Sequence, residues 1–297
     1  MQLRLALNAA TERLTAEHVP SPRMNAELLI MFTLDCDRVY LYAHPERELT
    51  ADEISRYDDA LARRATGVPA QYITGHQEFW GMDLIVSPAV LIPRPETEHV
   101  VEAVLEIFGH HKQVQKQGHG PRTEVSALHI VDVGTGSGAI ALALAKELPS
   151  AEIRATDISE EGLEVARANA ARHELRSRIA FHRTDLLSGL PLGAFDLVVA
   201  NPPYVGESEE DQVQLEVRKF EPRGAVFAGP TGLAVIERLI PQAHEVLRPG
   251  GWLIFEISGT IVDGVHKLLR GWTDVAIKND LQGIPRVVIA RKIASGS

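Results

Sequence analysis

Asn201-Pro202-Pro203-Tyr204 directly follows an apolar run, Phe195 to Ala200, that reads as a buried strand. Prolines end strands and push the residue before them toward extended geometry. Asn-Gly would turn the chain with less constraint, so the rigid pair asks for a chemical reason, with a plain turn as the bland alternative. The side-chain oxygen of Asn201 and the backbone carbonyl of Pro202 can each accept one N–H of a planar NH2 group. Such a nitrogen is a poor nucleophile because its lone pair is delocalised. Two fixed acceptors would aim it at an electrophile and stabilise the charge that develops on it. Pro202 and Pro203 remove two backbone donors and fix φ, and Tyr204 can pack against the flat group.

Three more features fall at the ends of apolar strand-like runs. Asp132 precedes a turn containing Gly134, Thr135, Gly136, Ser137 and Gly138, whose glycines allow tight turns and close ligand approach before a helix N-terminus. Asp157 closes the next strand and can accept hydrogen bonds from both hydroxyls of a ribose. Asp185 closes a third, placed to bind an adenine amino group with Leu186 against the ring. A glycine turn alone is weak, and Ala139 stands where a dinucleotide fingerprint wants its third glycine. The combined set resembles the S-adenosylmethionine pocket of Rossmann-like methyltransferases more than a nicotinamide site. Asp132 is either a ligand or a structural acceptor that holds the loop.

Elements able to position these residues are visible along the chain. From about Ala127 to Lys292, strand and helix patterns alternate, which predicts a mostly parallel sheet with helices on both faces. Residues 1–70 read as a small helical bundle for recognition or stability. Ser21-Pro22 reads as an N-cap and first-turn proline opening a helix whose apolar residues run through Ala26, Leu29, Ile30 and Phe32. Thr50 with Glu53 fits a capping box, with Ile54, Tyr57, Leu61 and Ala62 facing the core. Residues 71–95 are expected to form a β-rich connecting hairpin, and 96–297 the α/β domain. His110, His111 and His119 sit in a polar linker without carboxylate or cysteine partners and read as a solvated loop, so no metal site is expected. The acidic run Glu207 to Gln212 reads as a solvated loop as well.

Composition sets the class of protein. The 297 residues are 45% hydrophobic and 24% charged, with a formal charge of −10. That charge argues against broad nucleic-acid binding, which depends on neutralising phosphates. The lone Cys36 excludes an internal disulfide framework. Apolar runs are too short to span a bilayer, and the amphipathic amino terminus is unlike a signal peptide, so a cytoplasmic, monomeric protein without a membrane partner is expected.

The stretch from Gln71 to Glu98, with its Phe79-Trp80-Gly81 and Ile92-Pro93-Arg94-Pro95-Glu96-Thr97 motifs, resembles the release-factor glutamine methyltransferase family. So do the helical amino terminus, the glycine turn, Asn-Pro-Pro-Tyr and the segment from Glu221 to Leu233, so the likeness spans essentially the whole chain. The resemblance implies methyl transfer from S-adenosylmethionine to the side-chain N5 of the glutamine in the Gly-Gly-Gln motif of class-1 release factors. It implies that Gly134 to Gly138, Asp157, Asp185, Leu186 and Asn201 hold cofactor, and that Asn201, Pro202, Pro203 and Tyr204 hold glutamine. Phe79, Arg94, Pro95, Glu96 and Thr97 would line or order the pocket mouth. Phe79 has hairpin core as its alternative, and Glu96 has a charge at a helix N-terminus. Two departures from the family pattern, Gly259 without a following glutamine and Gly283-Ile284, lie away from this chemistry.

Overall fold

The structure is a computed structural model that describes residues 1–109 and 127–294. His110, His111 and His119 lie outside the described residues. The chain forms two compact units, residues 1–76 with 213–220, and residues 77–212 with 221–297.

In the first unit, α1 (Leu3–Ala16) buries Leu3, Ala6, Leu7, Ala10 and Leu14, the three-and-four spacing of one helical face. Helix α2 (Pro22–Leu34) buries Ala26, Leu29 and Ile30, but Phe32 is 48% exposed. Phe32 stands about 200° around the helix from Ile30, so the two cannot share a face. Pro22 occupies the first turn as expected, whereas Ser21 adopts a left-handed φ of 48° and makes no side-chain cap. Asn25 instead donates to the carbonyls of Pro20 and Ser21. After the short α3 (Arg38–Ala43), α4 (Ala51–Ala65) opens with the expected Thr50–Glu53 capping box. It buries Tyr57, Ala60 and Leu61, while Ala62 faces solvent, a correction of one position in the inward stripe. Gln71 to Thr74, expected to be β-rich, lies in a helical turn, α5 (Ala70–Thr74), closed by Gly75 at φ 78°. A short helix, Leu215–Phe220, joins this unit, and its Glu216 pairs with the buried Arg64 at 2.7 Å.

The second unit is built on a seven-stranded sheet. A two-stranded hairpin, β1 (His76–Phe79) and β2 (Met82–Ile85), precedes it, followed by a 3-10 turn (Pro95–Thr97) and α6 (Glu98–Phe108). The sheet comprises β3 (His129–Val133), β4 (Glu152–Asp157), β5 (Ile179–Arg183), β6 (Phe195–Ala200), β7 (Leu247–Glu256), β8 (Thr273–Asn279) and β9 (Pro285–Arg291). Their order across the sheet is β5-β4-β3-β6-β7-β9-β8, parallel except for β9, which runs antiparallel to both β7 and β8. Strand side chains alternate between faces. Ile130, Leu197, Val199, Val287 and Ile289 pack in one cluster with α6 and α7 (Ala139–Glu147). Val131, Val133, Val198, Ala200, Val288 and Ala290 pack in the other with α9 (Ile236–Val246) and α10 (Val262–Leu268). Helices therefore cover both faces, as expected. Strand order reverses direction between β3 and β6, and ligands of such sheets bind beyond the carboxyl ends of the strands at this point.

One side chain ties the hairpin to the glycine turn. Asn169, fully buried in α8 (Glu160–Arg172), accepts from the Ile85 N–H at 2.7 Å. Its amide nitrogen donates to the carbonyls of Ile85 and Ser137, both at 2.9 Å. Asn169→Ala would leave these backbone groups without that partner in a dry setting, and should lower unfolding free energy by about 3 kcal/mol. Urea unfolding measures this, and a loss below about 1 kcal/mol would contradict the assignment.

Candidate functional site

Register brings the candidate residues to one edge of the sheet. Ala200 is level with Val133 on one side and Phe255 on the other, so Asn201, Gly134 and Glu256 leave the sheet as neighbours. Thr156 is level with Val133, which puts Asp157 at the same rim, and Asp185 follows two residues after the end of β5.

The glycine turn divides into a ligand-accessible part and a packed part. A Cβ built on Gly136, whose φ is 52°, meets open space, as does one on Gly134. At Gly138, φ is 85° and a Cβ would lie 2.4 Å from Leu142 and 3.3 Å from Ala166, so that glycine serves packing. Thr135 and Ser137 are both buried. The Thr135 hydroxyl donates to Asp132 at 2.7 Å, and the Ser137 carbonyl is held by Asn169. The Thr135 side chain and the Ser137 backbone are therefore engaged beneath the turn.

Asp132 is 1% exposed. One of its oxygens accepts from Thr135 and from the Ala141 N–H at 3.1 Å, while Oδ1 is buried with no partner. Burial pushes its carboxyl up to about 7 from 3.8. The structural role left open by the sequence is thus realised, and one oxygen remains over. Asp157 accepts from the Gly136 N–H and the Ser159 N–H, each at 2.9 Å, which fixes its carboxylate against the turn. Asp185 is ion-paired with Arg238. Leu186 adopts φ 53° and packs against the apolar cluster on the α9 face. Open space above two glycines, with Asp157 and Asp185 along the rim, suits a cationic nucleoside cofactor.

Asn201 belongs to a chain of hydrogen bonds that the sequence did not disclose. Its Nδ2 donates to Thr97 Oγ1 at 3.0 Å. Thr97 donates to Glu256 Oε2 at 2.6 Å, and the Tyr204 hydroxyl donates to Glu256 Oε1 at 2.8 Å. Burial pushes the Glu256 carboxyl above its ordinary value, against the hydrogen bonds and the charge of Arg286, with the charge of Glu96 adding to the rise. Burial and the Glu256 charge push the Tyr204 hydroxyl up as well, so it stays protonated. Pro202 is buried and Pro203 half-buried. Beyond Tyr204, Val205 bridges to Phe227, and a Cβ on Gly232 would lie 2.3 Å from the Tyr204 carbonyl. The Glu221–Leu233 segment therefore backs the motif closely.

The pocket-mouth candidates separate. Thr97 joins Asn201, and Arg94 pairs with the buried Glu221, which also accepts from the Ile92 N–H at 3.1 Å. Glu96 and Pro95 lie in the 3-10 turn beside them. Phe79 does not join this group. It is 1% exposed and packed with Val100, Leu142 and their neighbours in the main core, so hairpin core is its place. Glu207 to Gln212, expected to be loop, forms a 3-10 helix, with Glu210 paired to Arg223. A separate groove of about 330 Å³ lies in the first unit, lined in part by His18, Arg64, Gly67, Leu215 and Phe220. Its Arg64 and Glu216 satisfy one another, which suits a packing seam.

Glu256, Glu221 and Asn169 were missed by sequence reasoning. The only signal for Glu256 is an acid closing an otherwise apolar strand, the same signal that picked out Asp157. No helix among the described residues is long and apolar enough to cross a membrane.

Residues 6–75 match the PrmC N-terminal domain family, and residues 122–219 match the methyltransferase small domain family. The chain is 55% identical over 296 residues to the release factor glutamine methyltransferase of Koribacter versatilis, covering 99% of this chain and 100% of that one. It is 41% identical to the protein of the same name from Moorella thermoacetica, covering 98% of each. Among solved structures, the hMettl16 catalytic domain in complex with MAT2A 3'UTR hairpin 6 aligns with a TM-score of 0.56 at 17% identity, over 80% of this chain and 84% of that one. That likeness is one of fold.

Proposed function

The chain belongs to the release factor glutamine methyltransferase family, and on that premise we propose that it methylates the side-chain amide nitrogen, N5, of the glutamine in the Gly-Gly-Gln motif of class-1 peptide-chain release factors, modulating translation termination. The observation that carries this reading is the Asn201 amide, tied by its nitrogen to Thr97 beside the open glycine turn. Its oxygen is thereby the end available to a substrate NH2.

S-adenosylmethionine supplies a methyl group on a sulfonium centre. Gly134 and Gly136 would take it closely, with the backbone of Thr135, Ser137 and Gly138 shaping the loop. Asp157 would accept from the ribose hydroxyls and Asp185, beside Leu186, from the adenine amino group. Asn201 Oδ1 and the Pro202 carbonyl would each accept one N–H of the glutamine amide, holding its nitrogen toward the methyl group and stabilising the positive charge it acquires. The proton on the methylated nitrogen is acidic, so no strong base is required. Prolines 202 and 203 present no competing N–H. The Tyr204 hydroxyl is engaged by Glu256, which leaves its ring to pack on the flat amide. Glu96 and Arg94 would order the mouth of the pocket.

The helical unit would recognise the release factor, and the enzyme would act as a cytoplasmic monomer without stable nucleic-acid binding. The formal charge of −10 supports a protein over a polyphosphate substrate. Labelled methyl transfer tests the proposal, with purified release factor, its Gln→Ala variant in Gly-Gly-Gln, DNA and rRNA as acceptors. Label should reach the first only; label on nucleic acid, or equal label on the Gln→Ala protein, would sink it.

A further inference from the structure

We propose that Glu256 is the positioning residue that decides which end of the Asn201 amide faces the substrate, an inference that rests on the function proposed above. Glu256 closes β7 one residue beyond Phe255, the partner of Ala200, and is 1% exposed. Both Glu256 oxygens accept, Oε2 from Thr97 and Oε1 from Tyr204, and a hydroxyl has a single proton to give. Thr97 gives its proton to Glu256 at 2.6 Å, so toward Asn201 it presents a lone pair. It can therefore receive only the NH2 end of that amide, and does so at 3.0 Å. Asn201 Oδ1 is the end left as acceptor. A reversed amide would set Oδ1 against an oxygen lone pair.

The same carboxyl accepts a hydrogen bond from the Tyr204 hydroxyl at 2.8 Å, so both motif side chains are oriented by one group. Arg286, the neighbour of the β9 residue paired with Glu256, places a positive charge near it, which opposes the effect of burial and of Glu96. Arg286 is itself held by Asp280 at 3.0 Å. Glu256 thus acts at a distance from the reacting nitrogen, through Thr97.

Glu256→Gln keeps the size but introduces a donor, so only one of the two hydroxyls retains its acceptor and the amide loses its fixed polarity. We expect kcat for release-factor methylation to fall about a hundredfold, with KM and cofactor affinity changed little. Thr97→Val breaks the relay to Asn201, so adding Glu256→Gln to it should cost far less than the hundredfold it costs alone, leaving only the loss at Tyr204. Thr97→Ser restores the hydroxyl that Thr97→Val removes and should recover most of the kcat lost in Thr97→Val, which tests the relay without any change at Glu256. A substrate-free readout accompanies these rates: the Asn201 side-chain NH2 resonance of the full chain, assigned by its loss in Asn201→Asp. It should shift in Glu256→Gln and in Thr97→Val but not in Thr97→Ser. Multiplying kcat losses in the double variant, or an Asn201 resonance unmoved by Glu256→Gln, would overturn the inference. Wild-type protein that methylates no release factor would instead sink the proposed function, and the resonance would then decide the inference alone.

Discussion

Asn201→Ala is expected to lower kcat for methyl transfer about a thousandfold, the usual consequence of removing one preorganised group from a site of developing charge. Cofactor affinity, measured by calorimetry, should change far less. The reason lies in the division of contacts at the rim. Asn201 is anchored through its nitrogen to Thr97, so its oxygen is the end left to accept from an incoming N–H on the proposed reading. The glycine turn is held independently, by Asp132, Asp157 and Asn169, and none of those contacts passes through Asn201. A poor nucleophile such as an amide nitrogen depends on orientation more than on proton removal, so losing an acceptor should appear in kcat before KM. If cofactor affinity falls in proportion to kcat, Asn201 is principally a cofactor ligand and the division is wrong.

Asp132→Asn is expected to remove a pH dependence from folding stability. Burial holds the Asp132 carboxyl at about 7 in the folded chain against 3.8 as reference, with the charge of Asp157 adding to the rise and the bonds from Thr135 and Ala141 opposing it. The folded state therefore keeps a proton that the unfolded chain has already released. Its contribution to stability is full below the reference value and is lost as pH climbs through 7, up to about 4 kcal/mol across that window. Carboxylates held below their ordinary range, such as Glu27, Glu53 and Asp280, act in the opposite direction and bend the total curve. The difference between wild type and Asp132→Asn isolates the one group. Urea unfolding at a series of pH values should show that difference changing between pH 4 and 7; a difference constant with pH would contradict the buried-carboxyl account.

Much of the architecture was legible because it rests on local pattern. Apolar runs leading to the glycine turn, Asp157 and Asn201 announced strands whose carboxyl ends carry polar groups, and the sheet puts Gly134, Asp157 and Asn201 at one rim, with Asp132 buried just beneath. The Thr50–Glu53 capping box was legible for the same reason, since its two partners are three residues apart. One error in the helical unit came from treating apolar character as burial. Ala62, expected inward, lies outside the buried stripe of its helix, and apolar residues on a surface are common. Gln71 to Thr74 looked β-rich through Tyr72, Ile73 and Thr74, but Gly75 closes the segment as a helical turn.

The supporting groups of the site were not legible because sequence separation hides them. Thr97 and Glu256 meet across 159 positions, and Arg94 and Glu221 across 127. Nothing in the immediate neighbourhood of Glu221 distinguishes a buried clamp from a surface charge, and Glu256 offers only its place at the end of an apolar strand. Phe79 shows the converse. Its motif carried the family resemblance, yet the side chain is core, so a recognisable motif marked a fold requirement there.

The central claim is that this chain methylates an amide nitrogen of a glutamine side chain, and tandem mass spectrometry of the acceptor tests it most directly. Release factor incubated with the protein and S-adenosylmethionine should yield a Gly-Gly-Gln peptide one methyl heavier, with fragments placing the addition on the glutamine side chain. The Asn201→Ala protein should leave that peptide unmodified over the same time. A methyl group found on any other residue, or the same Gly-Gly-Gln modification made at equal rate without Asn201, would contradict the account.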